Sequence, residues 1–380
     1  MKRLKLMLSI LIFVGVFFSV VAPVQADTPP PEKARAEGPD LSFSTLVDDD
    51  YVPSDDLLSP DVTNPYPVSP SGSNYTFNLT PKLYFSKNSS ATAYKIYMYD
   101  FKTTLTLLYT YVGGTENCGS GYCWLQPPTK LKVYKYDQTM GGYYAWKVEA
   151  MIGNSWVPNE TYGTFYVMSS GFTSTFTYDS KGWKVLNGEW TLTSKGYYKT
   201  LGIPMSIANT WRKELFLNNM VIEARVKRKV ETGSSTRILF FGYPNLLGNG
   251  YWSNAYTFYY YDDGVWELSK YISGVKTTLA TAGTTYAEIN GWNTFKIWVH
   301  DHYISLWIND IYITTVYDSA RSYGAVGLAM YEGNPDISPL LVDYVKVYYS
   351  AVAPYEIPEE SGVPLAPAVE PLNREDMIIK

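Results

Sequence analysis

The 380-residue chain has few of the side chains on which catalytic and metal sites depend. It contains only 2 His and 2 Cys. It has no G-x-S-x-G nucleophile motif, so a Ser-His-Asp hydrolase of that type is not indicated. It also lacks the G-x-x-x-x-G-K-[ST] loop that binds nucleotide phosphates. These gaps favour a binding protein over an enzyme.

Positive charge is also scarce, with 31 Lys and Arg against 36 Asp and Glu. Three of the basic residues precede an apolar run at 6–22, and Val24-Gln25-Ala26 follows with the small residues that signal peptidase needs. We therefore expect a signal peptide over residues 1–26 and a secreted, extracellular or cell-surface protein.

Cleavage would leave 28 basic residues (31 minus 3) against 36 acidic ones, a net charge of −8. Nucleic acid and anionic membrane surfaces attract basic patches, so neither is an expected partner. No apolar run after residue 26 is long enough to span a bilayer.

The two cysteines lie close together, as Cys118 and Cys123 in the stretch NCGSGYCW. In a secreted protein this spacing favours a local disulfide that pins a turn, with two free thiols as the alternative. No His lies nearby to complete a zinc site.

Aromatic residues are abundant: 36 Tyr, 15 Phe and 11 Trp. Short runs of them alternate with turn residues, which is typical of antiparallel sheets. We predict an all-β protein of two antiparallel sandwiches, at 63–168 and 172–350. Residues 27–62 and 351–380 are rich in Pro and acidic residues and are expected to be a disordered leader and tail, most simply spacers.

The first region resembles a fibronectin type III-like module of secreted bacterial proteins. The resemblance rests on ATAYKIYMYD, CGSGYCWLQP, YYAWKVEAMIGNSWVP and GTFYV, in that order. Such modules usually act as spacers or protein-binding units. The resemblance implies that Tyr94, Trp146 and Val148 are core residues.

The second region resembles a concanavalin A-like (laminin G-like) jelly roll. WNTFKIWVHDHYISLWIND, YGAVGLAMYE and LLVDYVKVYYS carry this resemblance. Members include lectin-like adhesion modules, sugar-binding modules and glycosidases, so the resemblance implies glycan-related function without deciding which kind. The E-x-D-x-x-E carboxylate pattern of the glucanase branch is absent from the chain.

The same resemblance implies a structural calcium ion between the opening and closing strands. Asp179 and Asp343 occupy the matching positions and supply the oxygen ligands that calcium prefers. The alternative is that Asp179 caps a turn and Asp343 faces solvent. No other cofactor is expected.

Strand alternation also predicts a binding face. If Phe295, Ile297 and Val299 point into the core, Trp298 points outward, and by the same argument so does Trp307. Exposed indoles could stack on sugar rings, while Arg225 or Glu223 would bind hydroxyl groups and Tyr259 would join them. The alternative is a tryptophan pair buried under a loop or against the first region.

These observations predict a secreted, non-enzymatic protein that binds a polysaccharide, a surface glycan or a surface protein through its second region. Two alternatives stay open. One is a glycoside hydrolase or lyase of the concanavalin A-like fold, and the other is a structural component of an envelope or matrix.

Overall fold

The computed structural model describes residues 64–71, 74–101, 104–135, 142–201, 203, 206–228, 235–244, 252–261, 263–283, 286–288, 290–332, 339–350 and 353–354. The predicted signal peptide and leader lie outside these residues, as does all of the predicted tail except Ala353 and Pro354. Strands and loops make up the described part, which contains no α-helix, and the prediction of an all-β sandwich protein is confirmed. None of the described residues forms a helix that could cross a membrane.

The first sandwich consists of a three-stranded sheet and a six-stranded sheet. Sheet 1 has the order β1-β3-β6, and sheet 2 has the order β2-β9-β7-β4-β5 with β8 paired to β7. All pairs are antiparallel except β2 with β9. The strands are β1 (Pro67–Ser69), β2 (Tyr75–Thr76), β3 (Leu83–Ser86), β4 (Ala91–Phe101), β5 (Leu105–Gly113), β6 (Tyr122–Leu125), β7 (Tyr143–Ile152), β8 (Ser155–Val157) and β9 (Gly163–Val167).

The second sandwich consists of two eight-stranded antiparallel sheets. Its strands are β10 (Gly171–Ser174), β11 (Trp183–Asn187), β12 (Trp190–Leu192), β13 (Tyr198–Thr200), β14 (Ser206–Arg212), β15 (Phe216–Leu217), β16 (Met220–Arg228), β17 (Ser235–Tyr243), β18 (Asn254–Tyr261), β19 (Val265–Ile272), β20 (Val275–Gly283), β21 (Trp292–His300), β22 (Tyr303–Ile308), β23 (Ile311–Tyr317), β24 (Tyr323–Glu332) and β25 (Leu340–Tyr349). Sheet 3 has the order β12-β13-β25-β16-β21-β22-β23, with β10 paired to β25. Sheet 4 has the order β11-β14-β24-β17-β18-β19-β20, with β15 paired to β24.

Each sandwich has its own hydrophobic core. Tyr94, Trp146 and Val148 are fully buried in the first core, as the sequence predicts. The second core takes its side chains from the facing sides of sheets 3 and 4. On β16 the residues Met220, Ile222, Ala224 and Val226, which alternate with other residues in the sequence, all point into it, as the period of two in a strand predicts.

Two-residue turns fix the register of the hairpins in the second sandwich. Both residues have positive φ in Ser273-Gly274, Asp301-His302 and Asn309-Asp310. Turns of this kind match the twist of the flanking strands, and Gly, Asn and Asp tolerate positive φ best. The register that they set decides which residues face the core.

The two sandwiches contact each other through a third apolar cluster. Tyr134, Tyr166 and Met168 of the first sandwich pack with residues on the outward side of sheet 4, among them Trp211 and Leu215. Part of that side, including Leu239 of β17 and Ala255 of β18, is therefore covered by protein.

Candidate functional site

The predicted tryptophan face lies on the outward side of sheet 3. Phe295, Ile297 and Val299 point into the core, as expected. Trp298 and Trp307 are on the opposite side, where Trp298 lies beside Val221 of the neighbouring strand.

The structure corrects the expected exposure of this pair. Trp298 and Trp307 are each only 1% exposed and form a small cluster with Val221, against which Ala353 of the following segment packs. The Trp298 Nε1 donates a hydrogen bond to the Ser350 carbonyl at 3.1 Å. The indoles thus pack within the protein and offer no stacking surface to a sugar.

The charged residues predicted for this face have partners within the protein. Arg225 pairs with Asp343 at 2.7 Å. Glu223 pairs with Lys296 at 3.2 Å and accepts a hydrogen bond from the Tyr344 hydroxyl at 2.6 Å. Burial raises the pKa of Glu223, but these hydrogen bonds and cations outweigh it and leave the pKa below its usual value. Little hydrogen-bonding capacity remains here for a ligand.

The structure also corrects the placement of Tyr259. This residue lies on β18 of sheet 4, so it cannot share a surface with Trp298 and Trp307 on sheet 3. It is only 2% exposed. The Arg237 guanidinium carbon lies 4.7 Å from its ring centroid and the Lys276 Nζ lies 4.8 Å from it. Tyr259 therefore supports its neighbours and does not itself offer a stacking face.

Around Tyr259 the outward side of sheet 4 carries a group of polar and aromatic side chains, which we call the tyrosine face. Five adjacent strands, in the order β24-β17-β18-β19-β20, contribute to it, with direct cross-strand pairs such as Arg237 with Tyr259 and Tyr259 with Glu267. Apart from Tyr259, its residues are half-buried or exposed. The tyrosine face consists of Arg237, Tyr259, Tyr261, Glu267, Tyr271, Lys276 and Tyr331.

Arg237 lies between aromatic rings on this face. Its guanidinium carbon is 4.7 Å from the Tyr259 ring centroid and 5.4 Å from that of Tyr331. Its Nε donates to the Ser235 hydroxyl at 3.1 Å. Among the residues that the structure describes, no carboxylate lies within ion-pair distance of this guanidinium. The rings hold the cation in position, and its two terminal nitrogens remain available as donors.

Glu267 is the carboxylate of the tyrosine face. It pairs with Lys276 at 2.7 Å, and it accepts hydrogen bonds from the Ser269 hydroxyl and from the Thr278 hydroxyl at 3.2 Å. Burial raises its pKa, but the bonds from Lys276, Ser269 and Thr278 outweigh burial, so the pKa lies below its usual value. The Tyr261 hydroxyl also donates to Glu267 at 3.5 Å, so the group is an anion held by four donors at neutral pH.

The tyrosine hydroxyls complete the face. The Tyr259 and Tyr271 hydroxyls are 2.5 Å apart. Burial and the Glu267 charge raise the pKa of Tyr261 to about 12, so its hydroxyl stays protonated at neutral pH. The Tyr261 ring lies parallel to that of Tyr259, with centroids 5.9 Å apart. Half-buried rings with hydroxyl groups at their edges can contact apolar and polar parts of one ligand.

The predicted calcium ligands do not fit an ion site as they are placed. Asp343 is paired with Arg225, and the exposed Asp179 accepts the Lys181 backbone N–H at 3.1 Å. The described ranges contain no group of three or more His, Cys, Asp or Glu side chains that could hold a metal. Calcium binding by Asp179 and Asp343 therefore stays a prediction.

The predicted local disulfide is confirmed, since Cys118 and Cys123 are bonded. The link closes the short loop before β6, which lies far along the chain from the tyrosine face. Its contribution is to local order, because a loop this short loses little entropy on closure.

Sequence reasoning missed Arg237, Glu267 and Lys276. The segment 265–271, VWELSKY, alternates between buried Trp266 and Leu268 and the polar side that holds Glu267. That alternation could have been used to predict that Glu267 lies on the side of the strand away from the core. The preceding aromatic run at 256–261 gave none, because both sides of β18 are largely buried.

No protein-family model matches the chain, and no curated protein matches it. Solved structures similar to it include the carbohydrate-binding module CBM66 from Bacillus subtilis, at 17% identity and a TM-score of 0.36, covering 43% of this chain and 94% of that one. A Bacillus licheniformis β-glucanase matches at 12% identity and a TM-score of 0.39, covering 48% and 98%. A Bacillus subtilis protein of unknown function with a galectin-like fold matches at 12% identity and 0.40, covering 47% and 94%. Each match spans less than half of this chain, and none assigns it to a family.

Proposed function

We propose that this chain is a secreted, non-enzymatic protein that binds a saccharide on the tyrosine face of its second sandwich. The observation that supports the proposal is a half-open aromatic surface with a free hydrogen-bond donor at its centre. Tyr261, Tyr271 and Tyr331 supply half-buried rings, and Arg237 supplies the donor. Sites of this kind combine apolar contact area with a few precisely placed polar groups.

A comparison of the two outward surfaces favours sheet 4 over sheet 3. On sheet 3 the indoles of Trp298 and Trp307 are buried, and Glu223 and Arg225 have close partners. A ligand there would have to break existing contacts before forming its own. On the tyrosine face, Arg237 can form new hydrogen bonds without losing an ion pair, so binding costs less.

The carboxylate arrangement of the tyrosine face supports binding over glycoside hydrolysis. Hydrolysis by the usual route needs two carboxyl groups on either side of the sugar bond. Among the described residues this face holds one, Glu267, and its oxygens accept bonds from Lys276, Ser269 and Thr278. A raised pKa would suit a general acid, whereas the pKa of Glu267 is lowered.

The test is a screen of the full chain against a panel of immobilised polysaccharides, with product analysis on any polymer that is bound. We expect selective binding without new chain ends. Tyr261→Ala and Tyr271→Ala should weaken it at least tenfold, whereas Tyr271→Phe, which keeps the ring, should weaken it less. Tyr317→Ala, at a 60% exposed position on β23, is the matched control.

Two results would overturn the proposal. Full binding by both Tyr→Ala variants would remove the tyrosine face from the function, and new reducing or unsaturated ends would make the protein an enzyme.

Secretion rests on the pattern of residues 1–26. Sequencing the N-terminus of protein recovered from the medium should give Asp27 as the first residue.

A further inference from the structure

We infer that the saccharide bound on the tyrosine face is acidic, and that Arg237 binds its carboxylate or sulfate group. This inference rests on the proposed saccharide-binding function and adds the chemical class of the ligand. It starts from the charge of the face, where Arg237 and Lys276 are opposed by Glu267 alone among the described residues. Within the described part of the chain, this face therefore has one positive charge in excess, although the net charge of the whole chain is −5.

The state of Arg237 differs from that of three arginines in the same sandwich that have carboxylate partners. Arg212 pairs with Glu214 at 3.0 Å, Arg225 with Asp343 at 2.7 Å and Arg228 with Glu332 at 3.2 Å. Arg321 resembles Arg237 in lying beside a tyrosine ring, that of Tyr243, but its Nε donates to the backbone carbonyl of Phe241. Among the described residues, Arg237 contacts a hydroxyl, that of Ser235, and two tyrosine rings. A half-buried guanidinium without a counter-charge loses hydration and gains little in return, so an anionic ligand would restore the lost interaction.

The geometry around Arg237 suits one anionic group on a sugar ring. Its Nε is used by Ser235, which leaves the two terminal nitrogens as the donors for an incoming oxygen pair. Planar guanidinium groups bind carboxylate and similar anions through two parallel hydrogen bonds. Tyr331 and Tyr261 are half-buried on the same face and can contact the sugar that carries the anion.

Glu267 does not compete for Arg237. It lies two strands away in the same row, with Tyr259 between, which corresponds to a spacing of about 10 Å between backbones. Its own cation is Lys276, at 2.7 Å. The Glu267–Lys276 pair is therefore self-contained, and the free positive charge belongs to Arg237.

The experiment compares three probes on the full chain by calorimetry. They are galacturonic acid oligomers, the same oligomers with their carboxyl groups reduced to neutral galactose, and sulfated galactose oligomers. We expect an acidic probe to bind at least tenfold more tightly than the neutral one, with affinity that falls as salt rises. The carboxylate and sulfate arms show which anion fits.

Arg237→Gln should reduce binding of the acidic probe by about 10- to 100-fold, the range for charge-assisted hydrogen bonds, and should weaken the neutral probe by a smaller factor, so that the acidic preference is lost. Arg237→Lys keeps the positive charge but lacks the paired donors, so its affinity for the acidic probe should lie between those of the wild type and Arg237→Gln. Arg225→Gln removes one positive charge from sheet 3 and should leave the affinity for every probe unchanged. Thermal unfolding of each variant checks that it is folded.

The outcomes separate this inference from the function on which it rests. Equal binding of neutral and acidic probes, or an acidic preference that survives in folded Arg237→Gln, would overturn the inference and leave saccharide binding intact. Absence of binding to any saccharide in the wider polysaccharide panel would overturn the proposed function itself.

Discussion

Replacing Trp298 tests whether the outward indoles of sheet 3 have a structural role. The side chain is 99% buried, and full burial of an indole removes about 200 Å² from water. At about 25 cal/mol per Å² that area corresponds to about 5 kcal/mol, which is an upper estimate because unfolded chains are partly compact. The hydrogen bond to Ser350 adds about 1 kcal/mol. Measured Trp→Ala losses in protein cores run at about 3–5 kcal/mol, so we expect a loss in that range for Trp298→Ala.

The assay is urea unfolding of the wild type and Trp298→Ala, followed by far-UV circular dichroism. Tyr178→Ala is the control, because this side chain is 93% exposed and its removal should cost less than about 0.5 kcal/mol. Saccharide binding by the folded variant should equal that of the wild type. A loss of stability below 1 kcal/mol, or a loss of binding at unchanged stability, would refute the structural role of Trp298.

Three further predictions address other positions. The Thr257 hydroxyl is buried without a hydrogen-bond partner among the described residues, so Thr257→Val should be neutral or up to about 1 kcal/mol more stable in urea unfolding. Thr210→Val removes a hydroxyl that donates to the Lys184 carbonyl and should lose about 1–2 kcal/mol, so equal losses in the two variants would contradict the reasoning. A Cβ on Gly327 would lie 2.7 Å from the Trp252 ring and 2.9 Å from a backbone oxygen, so Gly327→Ala should cost about 1–3 kcal/mol and alter the near-UV spectrum. The pKa of Glu223 is lowered from 4.5, so its contribution to stability is present above that pH and is lost as the pH falls below it; unfolding free energies from pH 7 to pH 3 should therefore fall less steeply in Glu223→Gln.

The strand pattern was predictable wherever a strand separates core from surroundings. Residues 220–226 and 304–308 have apolar side chains at alternate positions, and the structure packs those side chains into the core. The Asn309-Asp310 turn was predictable for a related reason, since both residue types adopt positive φ at low cost. These features depend only on the local sequence and on burial of one side of a strand, so they can be predicted from the sequence of a single strand.

The exposure of an outward residue was not predictable in the same way. Alternation placed Trp298 and Trp307 correctly on the side away from the core. It could not show that residues after β25 pack on that side, because Ser350 and Ala353 are distant from both indoles along the chain. A period-two pattern reports direction, whereas exposure depends on what the rest of the chain covers.

The assignment of Tyr259 to the wrong surface has a different cause. The run 256–261 is aromatic on both sides, so it contains no period that distinguishes inward from outward. Its sheet was also undetermined, because strand order depends on pairing partners: β18 pairs with β17 and β19, whereas β16 pairs with β21 and β25. Strands that neighbour each other in sequence are split between the two sheets.

These two limits bear directly on where a ligand can bind. Sheet 3 and the tyrosine face have similar compositions, with aromatic, basic and acidic side chains on outward positions. They differ in pairing: Arg225 lies 2.7 Å from Asp343, while Arg237 has tyrosine rings as neighbours. A surface whose charges neutralise one another has already gained the interaction energy that a ligand would supply. A surface with one cation held by rings has not, and that difference, which arises from strand register and not from residue content, is the physical reason to place the site on sheet 4.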